Sequence, residues 1–278
     1  EEPPRGPNGD AVRIALQFAK LVGAKVVEEM HFMRKVVVDG SNTSGFQRTG
    51  LIATGGEIEF NGKIVFFSTC SVYGAQDDLL NENSSTDPLS VYASTKLEAE
   101  KILINKDALI FRLGTLFGIG DSYSRIRMDL VVNVLTAKAI VDKKLTVFGG
   151  RQFRPLLHVK DAARVIEESV RSKKTGVYNL HLENIKIIDL AEKIKNLFSN
   201  VEIQKVDIKF QDARNYQADG EKLRKDFEFR PKYSVEDGVN EIKKLILEKR
   251  ITNINDPRYT NQKFLELFRS KLEYINET

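Results

Sequence analysis

The stretch "IVFFSTCSVYG", Ile64–Gly74, decides the fold class. It opens with an apolar run, and Ser68 and Thr69 follow as a polar tip. A short continuous apolar run of this kind is typical of a strand buried on both faces of a parallel sheet. In such sheets the residues just after the strand lie at the crevice where ligands bind. The stretch therefore predicts the middle of a parallel α/β sheet with polar groups at the strand end.

Downstream of this strand the pattern alternates between helix and strand. The predicted helices are residues 87–104, 129–142, 160–172 and 186–199, with a mostly helical tail from Ser234, and the predicted strands are residues 108–118, 145–150, 176–182 and 201–208. This alternation predicts an α/β fold: an incomplete Rossmann-like parallel sheet with a small α+β substrate domain.

Upstream of residue 64 the predicted order of helices and strands differs from the alternation downstream. Residues 11–22 have helical spacing, residues 25–40 favour a strand, and residues 51–67 favour antiparallel hairpins with turns at Gly-Gly and Asn-Gly. A helix followed by antiparallel strands is not the βαβ order of a nucleotide-binding sheet. We therefore expect a short helix-plus-antiparallel-strand segment at 1–63 and a second part at 64–278.

Composition narrows the class of protein. The 278 residues contain 43 Lys+Arg and 39 Asp+Glu, a mixed surface rather than a nucleic-acid-binding stripe. A single cysteine, Cys70, excludes an internal disulfide and fits a reducing cytosol. The three histidines have no metal-ligand spacing.

No apolar run reaches the length of a membrane span, and the N-terminus lacks signal-peptide character, so we expect a cytoplasmic protein without a membrane partner.

Tyr92 and Lys96 form the candidate catalytic pair. They lie four residues apart on one predicted helix, which places them on the same face about 6 Å apart. A neighbouring ammonium lowers the pKa of a phenol, and a Tyr so tuned acts as a general acid or base. Thr69, at the strand end, could share a hydrogen bond with the same substrate hydroxyl. A plain pair on a helix surface remains the alternative, and Cys70 is expected to be a small buried residue rather than a nucleophile.

Several motifs in order carry a resemblance to a known family. They are "STCSVYG", "PLSVYASTKLEAE", "FRLGTLFG", "RIRMDLVVN", "LTVFGGRQFRPLLHVKDAA", "GVYNL" and "DARNYQADGEKL". Together, from about residue 64 onward, they resemble the extended short-chain dehydrogenase/reductases, and more narrowly the NAD-dependent nucleotide-sugar epimerase/dehydratase family. The resemblance implies a nucleotide-diphosphate sugar as substrate, NAD as cofactor and a homodimer.

The resemblance also implies roles for particular residues. Tyr92 would be the catalytic base, Lys96 its pKa-lowering partner and ribose anchor, and Thr69 the hydroxyl partner. Residues from Leu113 to Thr115 would line the nicotinamide. Asn133, Arg154 and Arg214 would contact the substrate diphosphate, a role that suits guanidinium groups; solvated surface arginines are the alternative.

Two further positions separate the reactions of that family. The sugar 4,6-dehydratases carry Asp-Glu after the Thr, and this chain has Cys70 and Ser71 there. The resemblance therefore favours epimerisation or a related redox step over dehydration: hydride transfer at a sugar carbon through a keto intermediate. His158 falls in the "HV" strand of the family and is expected to be structural.

The family's glycine-rich NAD motif has no match in residues 1–66. Gly6 and Gly9 precede a predicted helix, but no strand precedes them and the third position is Val12. Instead residues 5–63, and most clearly the run "MRKVVVDGSNTSGFQRT", Met33–Thr49, resemble the E subunit of the archaeal Glu-tRNA(Gln) amidotransferase.

Three hypotheses follow from these resemblances. The chain joins parts of two enzymes near residue 64 and is an epimerase-like protein that lacks its own NAD-binding motif. Alternatively, it is an amidotransferase fragment acting on tRNA, or a non-catalytic module that binds nucleotide sugars.

Overall fold

The computed structural model of the chain describes residues 63–120, 126–206 and 214–261, together with 263, 264 and 266. The helix and strands predicted upstream of residue 63 lie outside the described residues. The elements follow one another as strands and helices in regular alternation. The strands are β1 Ile64–Thr69, β2 Ala75–Leu80, β3 Ala108–Leu113, β4 Thr115–Phe117, β5 Lys144–Phe148, β6 Phe153–His158, β7 Gly176–Leu180, β8 Glu183–Lys186, β9 Glu202–Val206 and β10 Asn215–Ala218; the helices are α1 Val91–Leu103, α2 Val131–Val141, α3 Val159–Val170, α4 Ile187–Lys195, α5 Glu221–Phe227 and α6 Val235–Leu247.

The central sheet runs in the order β1-β3-β7 and all its strands are parallel. Its two faces are covered by different layers, because successive side chains of a strand point to opposite sides. Ile64 and Phe66 pack with Ala99 and Leu103 of α1. Val65 and the residues that share its face pack with α3 and α5. This two-sided burial explains why the strand has an unbroken apolar run.

The second part of the molecule surrounds another core. Strands β5 and β9 pair in parallel, and β4 and β6 pair in parallel while β8 joins β6 antiparallel. Helices α2, α4 and α6 bring apolar side chains to this core, among them Leu135, Leu190 and Val239. For the described residues, the predicted α/β class with a parallel sheet is therefore confirmed. So is the second part, in which helices accompany parallel and antiparallel strands.

Some elements differ from those that the sequence predicts. The strand β2 is mostly polar and β6 contains Pro155, so neither shows the periodicity of a strand, and β10 is only four residues long. The tail beyond Ser234 is helical only over α6, and a single 3-10 turn at Pro257–Tyr259 follows an irregular stretch. Within the described residues, none of the helices has the length and apolar character required to span a bilayer.

Candidate active site

A cavity of about 800 Å³ opens at the carboxyl ends of β1 and β3. It is lined on one side by the sheet and α1, and on the other by α2, the β5–β6 connection and residues 127–130. The cavity contains six of the predicted site residues: Thr69, Tyr92, Leu113, Thr115, Arg154 and Arg214. Lys96 and Asn133 are not part of its lining. The position agrees with the rule that ligands of open α/β sheets bind beyond the carboxyl ends of the strands.

Thr69 and Tyr92 meet on the sheet side of this cavity. The Thr69 side chain caps the turn Cys70–Tyr73 by accepting a hydrogen bond from the Ser71 amide at 3.1 Å, which fixes its rotamer. The Thr69 hydroxyl also lowers the pKa of the Tyr92 phenol, and both side chains line the cavity. Tyr92 is the second residue of α1, whose N-cap is Ser90. The strand end and the helix start therefore hold the two hydroxyl groups together.

The pKa of Tyr92 is raised rather than lowered. Its partial burial raises the pKa, while the Thr69 hydrogen bond and the charge of Arg127 lower it and offset part of the rise. The residue is still 57% exposed, so water limits the rise. The lowering of the Tyr92 pKa that was predicted from Lys96 is not seen in this structure. Tyr92 itself still lies at the position predicted for a base.

Lys96 points toward the strand instead of toward the phenol. Its Nζ donates to the carbonyl of Phe67 at 2.7 Å and lies 4.7 Å from the centre of the Phe66 ring. Burial lowers the pKa of Lys96. The shared helix face was therefore predicted correctly, but the ammonium binds β1 and the cation–π contact with Phe66 directs it away from the cavity.

A buried ion pair supports the strand ends under Tyr92. Glu100 of α1 accepts hydrogen bonds from Arg112 of β3, from Nε at 3.1 Å and from Nη2 at 2.7 Å. Ser68 donates to the same carboxylate. Both charged side chains are about 5% exposed. Because β1, β3 and α1 each contribute a group, this cluster fixes the helix against the sheet.

Arg154 is 5% exposed and its guanidinium binds backbone. Nη1 donates to the carbonyls of Phe153, at 2.7 Å, and Arg214. The guanidinium also lies 5.6 Å from the centre of the Tyr216 ring. It thereby connects β6 to the segment that carries Arg214. Both arginines line the cavity, and their predicted contact with a diphosphate stays a prediction.

Asn133 is placed differently from the prediction. It is fully buried, its Oδ1 accepts from the Gly118 amide at 3.0 Å, and its Nδ2 donates to the carbonyl of Arg127 at 2.9 Å. The side chain of this α2 residue therefore binds the backbone of both Gly118 and Arg127. The predicted contact with a substrate diphosphate has no support in this arrangement and stays a prediction.

Cys70 and His158, which were expected to be structural rather than catalytic, are both buried. Cys70 is buried and donates to the carbonyl of Arg112 at 3.1 Å, and burial raises the pKa of its thiol far above the usual range. His158 is buried and caps α3, and its Nε2 lies 3.1 Å from Glu241. In the parts of the chain that the structure describes, no cluster of His, Cys, Asp or Glu could hold a metal ion.

Several cavity residues carry functional groups that the sequence did not single out. They are Arg127, Asp129, Lys138, Gln152 and Asn261. Arg127 and Asp129 occur in the quoted motif "RIRMDL", where the i, i+2 spacing of opposite charges was the available signal. Asn261 gives no local signal, because only the fold brings it to the cavity.

A comparison with family models matches residues 51–180 to the NAD dependent epimerase/dehydratase family. Solved structures agree in fold. The dTDP-glucose 4,6-dehydratase of Bacillus anthracis str. Ames in complex with NAD has a TM-score of 0.58 at 22% identity, over 70% of this chain and 63% of that one. The UDP-N-acetylglucosamine 4-epimerase of Methanobrevibacter ruminantium M1 in complex with UDP-N-acetylmuramic acid has a TM-score of 0.57 at 24% identity, over 67% and 63%. The resemblance inferred from the motifs is therefore confirmed over residues 51–180.

Curated relatives come from the other predicted family. The E subunit of the glutamyl-tRNA(Gln) amidotransferase of Pyrococcus furiosus is 61% identical over 59 residues, which are 21% of this chain and 9% of the relative. The same subunit of Aeropyrum pernix is 30% identical over 230 residues, 74% of this chain and 34% of the relative. The chain thus spans a minor part of these relatives, and both predicted resemblances are confirmed. The boundary near residue 64 stays a prediction.

Proposed function

From the match of residues 51–180 to the NAD dependent epimerase/dehydratase family, we propose that the chain is an epimerase-like protein acting on a nucleotide-diphosphate sugar. The single observation that carries the proposal is the cavity that Thr69, Tyr92, Arg154 and Arg214 line together. It combines hydroxyl groups suited to proton transfer with guanidinium groups suited to phosphate. Such a substrate has a sugar hydroxyl for the first kind of group and a diphosphate for the second.

The residues of the cavity fit one end of NAD. The apolar side chain of Leu113 and the hydroxyl groups of Thr69, Tyr92 and Thr115 line the same wall at the strand ends. Tyr92, Leu113 and Thr115 would hold the nicotinamide and its ribose; the sequence also assigns Lys96 to the ribose, but Lys96 does not line the cavity. NAD would supply hydride acceptance and return at a sugar carbon.

Within this proposal the protein's own groups handle the proton. Tyr92 takes the proton from the sugar hydroxyl and later returns it, while Thr69 orients that hydroxyl through its own hydrogen bond. The guanidinium groups of Arg154 and Arg214 bind the diphosphate and set the position of the sugar. The absence of Asp-Glu after Thr69 supports a keto intermediate that is reduced again rather than dehydrated.

The chain is further proposed to lack its own pyrophosphate-binding motif, since Gly6 and Gly9 are followed by Val12. This feature predicts weak or absent NAD binding by the chain alone.

A homodimer through α1 is proposed on the family resemblance, and the exposed apolar residues Leu89, Val91 and Ile104 beside or on this helix support it. Light scattering of the purified chain measures the oligomeric state.

The experiment is a titration of the whole chain with NADH, followed by nicotinamide fluorescence, with and without UDP. Saturable micromolar binding supports an enzyme that carries its complete cofactor site and overturns the proposed lack of a pyrophosphate motif. UDP binding without NADH binding supports a catalytically incomplete protein that retains the substrate cavity. Binding of neither ligand overturns the proposed function.

A second function is favoured by the amidotransferase relatives, which are up to 61% identical over short stretches. Under this reading the chain is a fragment of a tRNA amidotransferase. It predicts binding of tRNA with an affinity that falls steeply with salt. A filter-binding assay at two salt concentrations distinguishes it from the epimerase-like function, which predicts no specific tRNA affinity.

A further inference from the structure

The phenol of Tyr92 shares the cavity with several charged groups, but Lys96 is not one of them. The charged residues that line the cavity with it are Arg127, Asp129, Lys138, Arg154 and Arg214. Arg154 is bound to two backbone carbonyls, and Lys138 lies 3.9 Å from Asp142. Arg127 is paired with Asp129, a carboxylate that also lines the cavity.

Arg127 is held in a fixed orientation by its own short segment. Its Nε donates to Asp129 Oδ1 at 2.6 Å, and its Nη2 donates to Asp129 Oδ2 at 3.1 Å. A two-point pair of this kind fixes the plane of the guanidinium as well as its position. Its backbone carbonyl is fixed too, because Asn133 donates to it at 2.9 Å.

We call the Arg127–Asp129 ion pair the clamp. It is also held by residues that lie more than 100 positions later in the sequence. The amide of Asn261 donates to Asp129 Oδ2 at 3.0 Å. The amide of Met128 donates to the carbonyl of Tyr259 at 2.8 Å. Thr260, between them, is extended with φ −118° and ψ 127°. We call residues 256–261 the strap, since they cross the segment 127–129 and reach the cavity.

The clamp leaves part of the guanidinium available. Within the described part of the chain, Nη1 of Arg127 makes no hydrogen bond, whereas Nε and Nη2 are occupied by Asp129. Arg127 and Tyr92 line the same cavity, so both side chains can meet one bound molecule.

We propose that Arg127, held by Asp129 and the strap, is the cationic partner of Tyr92 in this cavity. It is a positioning residue that acts on the proton-transferring group, a role for which the sequence named Lys96. The electrostatics agree: the charge of Arg127 lowers the pKa of Tyr92 against the effect of burial, and Lys96 is not among the groups that affect it. A phenol at this position loses its proton more readily with the arginine in place.

The proposal deepens the function proposed for Tyr92, but its test needs neither cofactor nor substrate. The whole chain is labelled at tyrosine Cζ, and the pKa of each of its eight tyrosines is measured by NMR, with Tyr92→Phe to assign the signal. We expect Arg127→Gln to raise the pKa of Tyr92 and Arg127→Lys to leave it close to the wild-type value. Failure of the enzyme proposal would leave these pKa values unaffected.

Two variants serve as matched controls, because each removes one positive charge near the phenol. Lys138→Gln removes a charge from the same cavity, and Lys96→Gln removes the charge four residues along α1. Both are expected to shift the pKa of Tyr92 by less than Arg127→Gln does. An unchanged pKa in Arg127→Gln, a rise in Arg127→Lys equal to that in Arg127→Gln, or a rise in Lys96→Gln as large as in Arg127→Gln overturns the proposal.

The strap is tested by a pair of substitutions at one position. Asn261→Pro removes the amide proton that anchors Asp129, and the extended Thr260 before it tolerates a following proline. Asn261→Ala removes the side chain and keeps that proton. We expect a raised Tyr92 pKa in Asn261→Pro and the wild-type value in Asn261→Ala. Equal values in the two variants contradict the role of the strap, and this comparison is available if Arg127→Gln does not fold.

Discussion

The two walls of the cavity are built in different ways. The sheet wall consists of the carboxyl ends of adjacent parallel strands, and the fully buried pair Arg112–Glu100 lies beneath it. The opposite wall consists of loops and helix residues, and its carboxylate Asp129 is still reached by water, at 23% exposed. The first wall places the hydroxyl groups, and the second places the cations.

This difference predicts how each wall responds to substitutions. A buried charge that loses its partner keeps its full desolvation cost, whereas a partly exposed one recovers water. We therefore expect the sheet wall to respond to single substitutions through stability. The opposite wall is expected to respond through the positions of its side chains.

The largest effect is expected for Glu100→Gln. This change leaves the Arg112 guanidinium buried without a carboxylate and is expected to lower the free energy of unfolding by about 3–5 kcal/mol. Urea denaturation followed by circular dichroism measures it. The control is Glu98→Gln on the same helix, whose exposed pair with Lys101 contributes no more than about 0.5 kcal/mol. Equal effects of the two substitutions would contradict the contrast between the walls.

A pH effect is expected from His181, which follows β7 and is 5% exposed. Burial, with the Arg224 charge, lowers its pKa from 6.5 to about 4, so the unfolded chain binds the proton more tightly than the folded one. The stability that is present above pH 6.5 is therefore lost as the pH falls toward 4, by about 2 kcal/mol at pH 5.

The measurement is urea denaturation at pH 7 and pH 5 for the wild type and His181→Gln. The substituted chain lacks the titrating ring and is expected to lose about 2 kcal/mol less between the two pH values. Identical losses would show that His181 remains neutral in the unfolded chain or protonates without cost in the folded one.

A smaller effect is expected at Glu241, a carboxylate that is 20% exposed and does not line the cavity. This side chain accepts hydrogen bonds from the Ile119 amide at 2.8 Å and from His158 at 3.1 Å, and it pairs with Lys160. Glu241→Gln keeps one acceptor and is expected to cost about 1 kcal/mol. Glu236→Gln, on the same helix with a weaker pair to Lys193, is the control and is expected to change less. A loss as large as that of Glu100→Gln would contradict the distinction between buried and partly exposed carboxylates.

The sequence predicts the sheet wall far better than the opposite one. Thr69 and Tyr92 come from a buried strand and an amphipathic helix that are close in sequence, so local patterns place both. Lys96 has the predicted helical spacing, yet the carbonyl of Phe67 and the ring of Phe66 attract its ammonium, and no sequence pattern reports that competition.

The opposite wall depends on contacts between distant residues. Asn133 is recognisable in its motif, but its amide is bound by Gly118 and Arg127. The role of Asn261 depends on the strap crossing residues 127–129, a tertiary contact of more than 100 residues' separation. Such pairings follow from packing rather than from periodicity, which is why sequence reasoning omitted Arg127 and Asn261.

The central claim is that this cavity binds a nucleotide-diphosphate sugar, and calorimetric titration of the whole chain with UDP-glucose tests it most directly. Arg214→Ala is compared with Arg151→Ala, an exposed arginine that does not line the cavity. The account predicts saturable binding that weakens at least about tenfold in Arg214→Ala, as loss of a charged hydrogen bond implies, and remains unchanged in Arg151→Ala. No binding by the wild type, or equal weakening in both variants, would contradict it.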